Sequence, residues 1–103
     1  MQAVVARFVE DDFELKYSLD GVKPPSQEVA NQNRAYVKDY GEKLALLNDQ
    51  VWESSRAQWM GEHWDFILDL CTQLEGVSDL ALHGKAHPSP SSVKLEVGLI
   101  YVP

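Results

Sequence analysis

Residues 58–71 read QWMGEHWDFILDLC, and the structure that this stretch adopts decides the fold. On a helical wheel, at about 100° per residue, its apolar residues and His63 fill one arc of about 160°. The three carboxylates Glu62, Asp65 and Asp69 fall on the opposite side. The stretch therefore predicts an amphipathic helix with His63 at least partly buried and not catalytic.

A capping box of Ser55 and Gln58 places the start of this helix near residue 55, and Gly76 places its end. A second helix is predicted upstream, over residues 27–50, with a bend near Gly41. Ser26 is placed to cap it. Its apolar residues recur at spacings of three, four and seven, namely Val29, Tyr36, Val37, Tyr40, Leu44, Leu47 and Val51.

Four segments have the patterns of strands. Residues 2–9 are apolar on both faces, as in a central strand, and residues 13–19 alternate with period two. The acidic link of Glu10, Asp11 and Asp12 between them predicts a hairpin connection. Residues 77–83 predict a short third strand and residues 93–102 a long final strand, separated by a loop rich in proline and serine.

The element order ββααββ predicts a single α+β domain over residues 1–103, built as a two-layer sandwich. We expect a four-stranded antiparallel sheet in the order 2-1-4-3, with two helices on one face. The other face would then expose apolar residues, namely Val5, Val9, Ile100 and Val102, with Leu80 and Leu82 as further candidates. Such a face favours an interface, including that of a homodimer.

Composition limits the kinds of partner. Sixteen acidic residues against nine basic ones give a formal charge of −7. This charge disfavours nucleic acid and anionic membranes, which bind clustered lysine and arginine, and it is compatible with a basic protein partner. The single cysteine, Cys71, excludes an internal disulfide, and residues 1–12 lack the pattern of a signal peptide or a membrane span. A reducing cytoplasm is the expected compartment.

Chemical motifs are not recognisable in this sequence. It has no glycine-rich phosphate loop, no nucleophile elbow and no paired-cysteine zinc pattern. His83 and His87 have the i, i+4 spacing of a helical metal site, but Gly84 and Pro88 break that context. We therefore expect no catalytic residue, no cofactor and no metal.

Candidate partner-binding residues come from charge and aromatic character. The row Glu62, Asp65 and Asp69 and the acidic turn Glu10, Asp11 and Asp12 are the expected contacts for a basic protein. Trp52 is the expected aromatic anchor, because tryptophans dominate interface hot spots. Trp59 ranks behind it, since the predicted helix places Trp59 in the core.

In size, acidity, lack of motifs and expected compartment, the chain resembles bacterial immunity proteins and antitoxins, which block a toxin that is often a basic nuclease. The resemblance is one of type and implies a small, non-enzymatic acidic inhibitor. Two alternatives stay open. One is a ligand-binding or enzymatic domain with a pocket formed by Asn33, Tyr36, Tyr40 and His63, and the other is a homo-oligomeric structural protein.

Overall fold

The computed structural model describes residues 2–16, 19–90 and 92–103. Within these residues the chain forms three helices and six strands. The helices are α1 (Gln2–Val9), α2 (Gln27–Tyr40) and α3 (Val51–Ser54). The strands are β1 (Val22–Lys23), β2 (Leu44–Ala45), β3 (Arg56–Trp59), β4 (Trp64–Thr72), β5 (Gly76–Pro88) and β6 (Val93–Tyr101).

The strands form one mixed sheet, strongly curled into a half-barrel. Its order is β1-β6-β5-β4-β2, and β3 pairs with β4 on the same edge as β2. β1 runs parallel to β6, and the other pairs are antiparallel. The α+β class is confirmed. The predicted four-stranded ββααββ sandwich with strand order 2-1-4-3 is wrong.

The helix predicted over residues 55–76 is in fact the hairpin of β3 and β4 and the turn that follows it. Residues 64–70 fit a strand as well as a helix, because Trp64, Phe66, Leu68 and Leu70 also alternate with period two. Gly61, with φ of 100°, breaks any helix at this point and begins the hairpin turn. Aromatic and β-branched residues then favour the strand.

The two strands predicted nearest the N-terminus are also wrong. Residues 2–9 form α1, which buries Val4, Val5 and Phe8 at helical spacing. Leu15 has φ of 54°, which is incompatible with the strand predicted over residues 13–19, and residues 17 and 18 of that prediction lie outside the described residues. The acidic link at residues 10–12 follows α1 and does not join two strands.

The other boundaries agree better with the sequence patterns. Ser26 caps α2 as predicted, accepting a hydrogen bond from the Val29 amide at 3.2 Å. The predicted end at residue 50 is wrong: the helix ends at Tyr40, because Gly41 adopts a left-handed φ of 89° that terminates it where only a bend was expected, and Leu44–Ala45 form β2. β6 matches the predicted final strand to within a residue. β5 is longer than the predicted third strand and extends to Pro88, into the predicted loop.

The buried apolar residues form one cluster of sheet, α1 and α2 residues, and they include Val5, Leu80, Leu82 and Ile100. These four residues were expected on an exposed sheet face, so that expectation is wrong. Val9 and Val102 are exposed. The described residues contain no helix of sufficient length and apolar character to cross a membrane.

Side-chain amides bind the backbone at the edge of β6 and just beyond β2. Asn33 of α2 is fully buried, donates to the Gly98 carbonyl at 3.0 Å and accepts from the Ile100 amide at 2.8 Å. Its carboxamide thus continues the edge of β6 beyond β1, as a neighbouring strand would. Gln2 makes the same pair of bonds to the backbone of Leu47, at 3.1 and 3.0 Å.

We expect Asn33→Ala to lower the free energy of unfolding by about 3 kcal/mol, because it leaves a buried amide and a buried carbonyl without a partner. Urea denaturation followed by circular dichroism measures the difference. Gln32→Ala, at the exposed neighbouring position on α2, is the matched control and should change stability little. Equal losses in the two variants would contradict the role given to Asn33.

Candidate functional site

The β3–β4 hairpin projects aromatic side chains beyond the core. Trp59 of β3 lies directly opposite Trp64 of β4, and their ring centroids are 5.3 Å apart with the planes tilted by 59°. At the turn, the Met60 amide donates to the His63 carbonyl at 2.8 Å. Because antiparallel pairs alternate, Trp59 and Trp64 then form a non-hydrogen-bonded pair, in which side chains approach most closely.

These two tryptophans share a face of the sheet with the core. Residues opposite one another on neighbouring strands point to the same side, so Trp59, Trp64, Ala86 and Leu95 form a row. Phe66 separates this row from the core and packs against Gly84, where a Cβ would collide with its ring. We call the surface formed by Trp59, Trp64, Ala86, Val93 and Leu95 the tryptophan patch.

The tryptophan patch is open to solvent. Trp59 is 47% exposed, Trp64 42% and Val93 53%. Trp52 of α3, the predicted aromatic anchor, is 58% exposed. The prediction that Trp59 belongs to the core is therefore wrong, and Trp59 joins Trp52 as a candidate contact.

The acidic row predicted on a helix is not present as a row. Asp65 and Asp69 lie on the outer face of β4, while Glu62 lies in the hairpin turn and is exposed. Asp65 is 2.9 Å from Nε2 of His63 and lies opposite Lys85. Asp69 accepts a hydrogen bond from Ser54. Of the three carboxylates, Glu62 is the most accessible to a partner.

The acidic turn after α1 is held by Arg34 of α2. The Arg34 Nε lies 3.3 Å from an oxygen of Asp11, and its Nη2 lies 2.5 Å from Glu14. The guanidinium also covers the Phe13 ring at 5.4 Å. Asp12 accepts a hydrogen bond from the Lys16 amide at 3.1 Å, whereas Glu10 is exposed. Asp11 and Asp12 therefore stabilise this segment, and a contact with a partner would have to share them.

The surroundings of the histidines and of the cysteine are those of structural residues. His63 lies in the hairpin turn with its side chain 24% exposed, which confirms partial burial but not the predicted place within an apolar helix face. Its ring centroid is 5.4 Å from that of His87. His83 and His87 lie four residues apart on β5, so an extended backbone separates them widely. The described residues hold no cluster of three His, Cys, Asp or Glu suited to a metal, and Cys71 is buried.

The residues proposed for a ligand pocket do not form one wall. Asn33 is bound to β6, the Tyr36 hydroxyl accepts the Val102 amide at 3.2 Å, and the Tyr40 hydroxyl donates to Glu75 at 3.0 Å. A groove of about 700 Å³ does lie beside Arg34. Cationic, acidic and apolar side chains line it, among them Phe8, Asp11, Arg34, Lys38, Glu42 and Lys43.

The sequence predicted Trp52 and Glu62 as partner contacts and ranked Trp59 second, but it did not reveal that Trp59 lies against Trp64 in a hairpin. The signal that would have revealed the pair is Gly61. Gly61 is the first residue of a two-residue turn, completed by Glu62, that joins two stretches prone to form strands.

The chain belongs to a family described as a domain of unknown function, DUF7668, whose model matches residues 5–103. Neither a curated protein nor a solved structure matches the chain. The family assignment covers the sheet, α2, α3 and the tryptophan patch, and it carries no activity with it.

The ion pair of Glu14 and Arg34 predicts a specific pH dependence. The hydrogen bond from Arg34 lowers the pKa of Glu14 from 4.5 to about 2. Ionised Glu14 therefore stabilises the fold above pH 4.5, and this contribution is lost as the pH falls towards 2. We expect the urea midpoints of wild type and Glu14→Gln to differ at neutral pH and to converge near pH 2.

Glu62→Gln, a change in the exposed turn, is the control for this series and should follow the wild type at each pH. A difference between wild type and Glu14→Gln that persists undiminished at the acidic end would contradict the ion-pair explanation.

Proposed function

We propose that this chain is a non-catalytic protein-binding domain that contacts its partner through the tryptophan patch. The observation that carries the proposal is that all three tryptophans of the chain are exposed, two of them in contact on one surface. Tryptophan is highly buried on average in folded proteins and is enriched in interface hot spots. An exposed pair next to a core row is typical of a surface that a partner covers.

The charge supports a basic partner. Residues 49–69, which include α3 and most of the hairpin, contain five acidic residues and one cationic residue, Arg56. Together with the formal charge of −7, this excess favours association with a cationic surface through long-range attraction. A small acidic inhibitor of the bacterial immunity-protein or antitoxin type, acting on a basic toxin such as a nuclease, is the specific form that we propose.

The same charge argues against nucleic acid and anionic membranes as partners. For the compartment we propose a reducing cytoplasm, which suits a chain with a single, buried cysteine. The small-ligand alternative has less support, because the polar groups of Asn33, Tyr36 and Tyr40 are engaged elsewhere. The homodimer through a free sheet face loses its original basis, because most of the residues concerned are buried.

We expect Trp59→Ala and Trp64→Ala each to reduce partner capture at least tenfold, since loss of a hot-spot tryptophan costs about 2 kcal/mol or more. The measurement is affinity capture from a lysate of the native host at low salt, followed by quantitative mass spectrometry. Leu74→Ala is the matched control, because Leu74 is 83% exposed in the β4–β5 turn, outside the patch. Circular dichroism verifies that each variant folds.

The same capture experiment also tests whether charge contributes to binding. Glu62→Lys reverses an exposed carboxylate beside the patch, and it should weaken capture, as should raised salt acting on the wild type. Capture that is unchanged in both tryptophan variants would contradict the proposed surface. Capture that is unaffected by salt and by Glu62→Lys would contradict the proposed attraction by acidic residues. Contact through the tryptophan patch would then remain as the proposal.

A further inference from the structure

The backbone of β3 presents hydrogen-bonding groups on its outer edge. The Met60 amide donates to the His63 carbonyl, so pairing with β4 alternates from that point and includes Gln58 and Arg56. A second observation agrees, because the Asp69 amide, on the same side of β4, donates to Ser55 Oγ at 3.0 Å. The N–H and C=O groups of Ala57 and Trp59 therefore point away from β4.

This outer edge lacks a neighbour within residues 2–16, 19–90 and 92–103. In that part of the chain β3 pairs with β4 alone, and all four of its residues are exposed. The edge of β6 is closed differently, by Asn33 and by the Tyr36 hydroxyl, and Leu47 beyond β2 is held by Gln2. An unpaired strand edge is a template for an added strand.

The residues on either side of β3 define what kind of strand fits. Its apolar face continues into the tryptophan patch through Trp59, so alternate side chains of an added strand would contact this ring. On its other face β3 carries Arg56 and Gln58, and the outer face of β4 beyond them carries Asp65 and Asp69. Glu53 precedes β3 and Glu62 follows it, which makes the surroundings acidic at both ends.

We propose that β3 accepts an extended, basic segment of the partner protein as an additional strand of the sheet. The inference rests on the proposed function and specifies how the tryptophan patch is used. Apolar residues of the segment pack on Trp59, lysine or arginine residues meet Glu53 and Glu62 at the two ends of β3, and backbone groups pair with Ala57 and Trp59. Charge complementarity selects this occupant over a second copy of the chain, which carries the same acidic excess.

The test uses two synthetic eight-residue peptides, one alternating lysine with valine and the other alternating glutamate with valine. Binding to the whole chain is measured by NMR through the backbone amide shifts and by tryptophan fluorescence. We expect the lysine peptide to bind at least tenfold more tightly than the glutamate peptide. The shifts should concentrate on residues 56–59, and raised salt should weaken binding.

A backbone substitution separates strand addition from side-chain contact. Ala57→Pro removes an outward N–H and leaves the pairing of Arg56 and Gln58 with β4, because proline is accepted on edge strands at such positions. We expect Ala57→Pro to weaken binding of the lysine peptide about tenfold. Ala57→Val keeps the N–H and is the matched control, which should bind as the wild type does.

Each other result overturns the inference. Full affinity in Ala57→Pro would show that the peptide contacts side chains alone, and equal binding of the two peptides would remove the preference for a basic segment. A concentration-dependent dimer that Ala57→Pro abolishes would identify a second copy as the occupant. If the lysine peptide fails to bind while Trp59→Ala still loses lysate capture, strand addition is wrong and the protein-binding function stands.

Discussion

The backbone groups along one edge of β4 need hydrogen-bond partners, and the arrangement of the central part of the chain follows from meeting that need. Asp65 and Ile67 pair with β3, the Asp69 amide is bound by Ser55 Oγ, and Cys71 pairs with β2. Two separate segments, β3 with the preceding Ser55 and β2, thus divide a single edge. An unpaired buried amide costs about 1–3 kcal/mol, so each of these partners stabilises the sheet.

This division determines where α3 lies. The helix occupies the gap between β2 and β3, buries Val51 against the core and ends at the serine that binds Asp69. It also leaves β3 outermost, with its two-residue turn and the tryptophan pair beyond the reach of the helices. The position of the proposed binding surface therefore follows from the way in which the backbone groups of β4 are hydrogen-bonded.

The start of α2 and the final strand were predicted from the sequence, because Ser26 is a single-residue cap and residues 93–101 alternate without ambiguity. Other cap signals misled: Gly41 ends α2 where a bend was predicted, and the cap signals at Ser55 and Gly76 bound no helix. The choice between two competing periods could not be made from the sequence. Residues 64–70 satisfy both helical and strand spacing. The choice between them depends on pairing with β3 and β5, which lie outside this stretch, so its own pattern does not reveal the pairing.

The same limit applies to the site. Exposure of Trp52 and Glu62 followed from composition and position, but Trp59 was assigned to the core because a helical wheel placed it there. Residues 2–9 show the reverse error. Paired valines suggested a strand, while Val4, Val5 and Phe8 in fact bury one side of a helix. In both places tertiary contacts overrode intrinsic preference.

The closed edge of β6 has a consequence for self-assembly. Asn33 holds the positions at Gly98 and Ile100 that a further strand of another molecule would need. Fibrous growth requires every molecule to add strands on two sides, whereas in the described part of the chain the open edge of β3 is one short side of four residues. Each molecule can therefore add one strand, at β3, and no further strand after that. Association through β3 gives a discrete complex and not a filament.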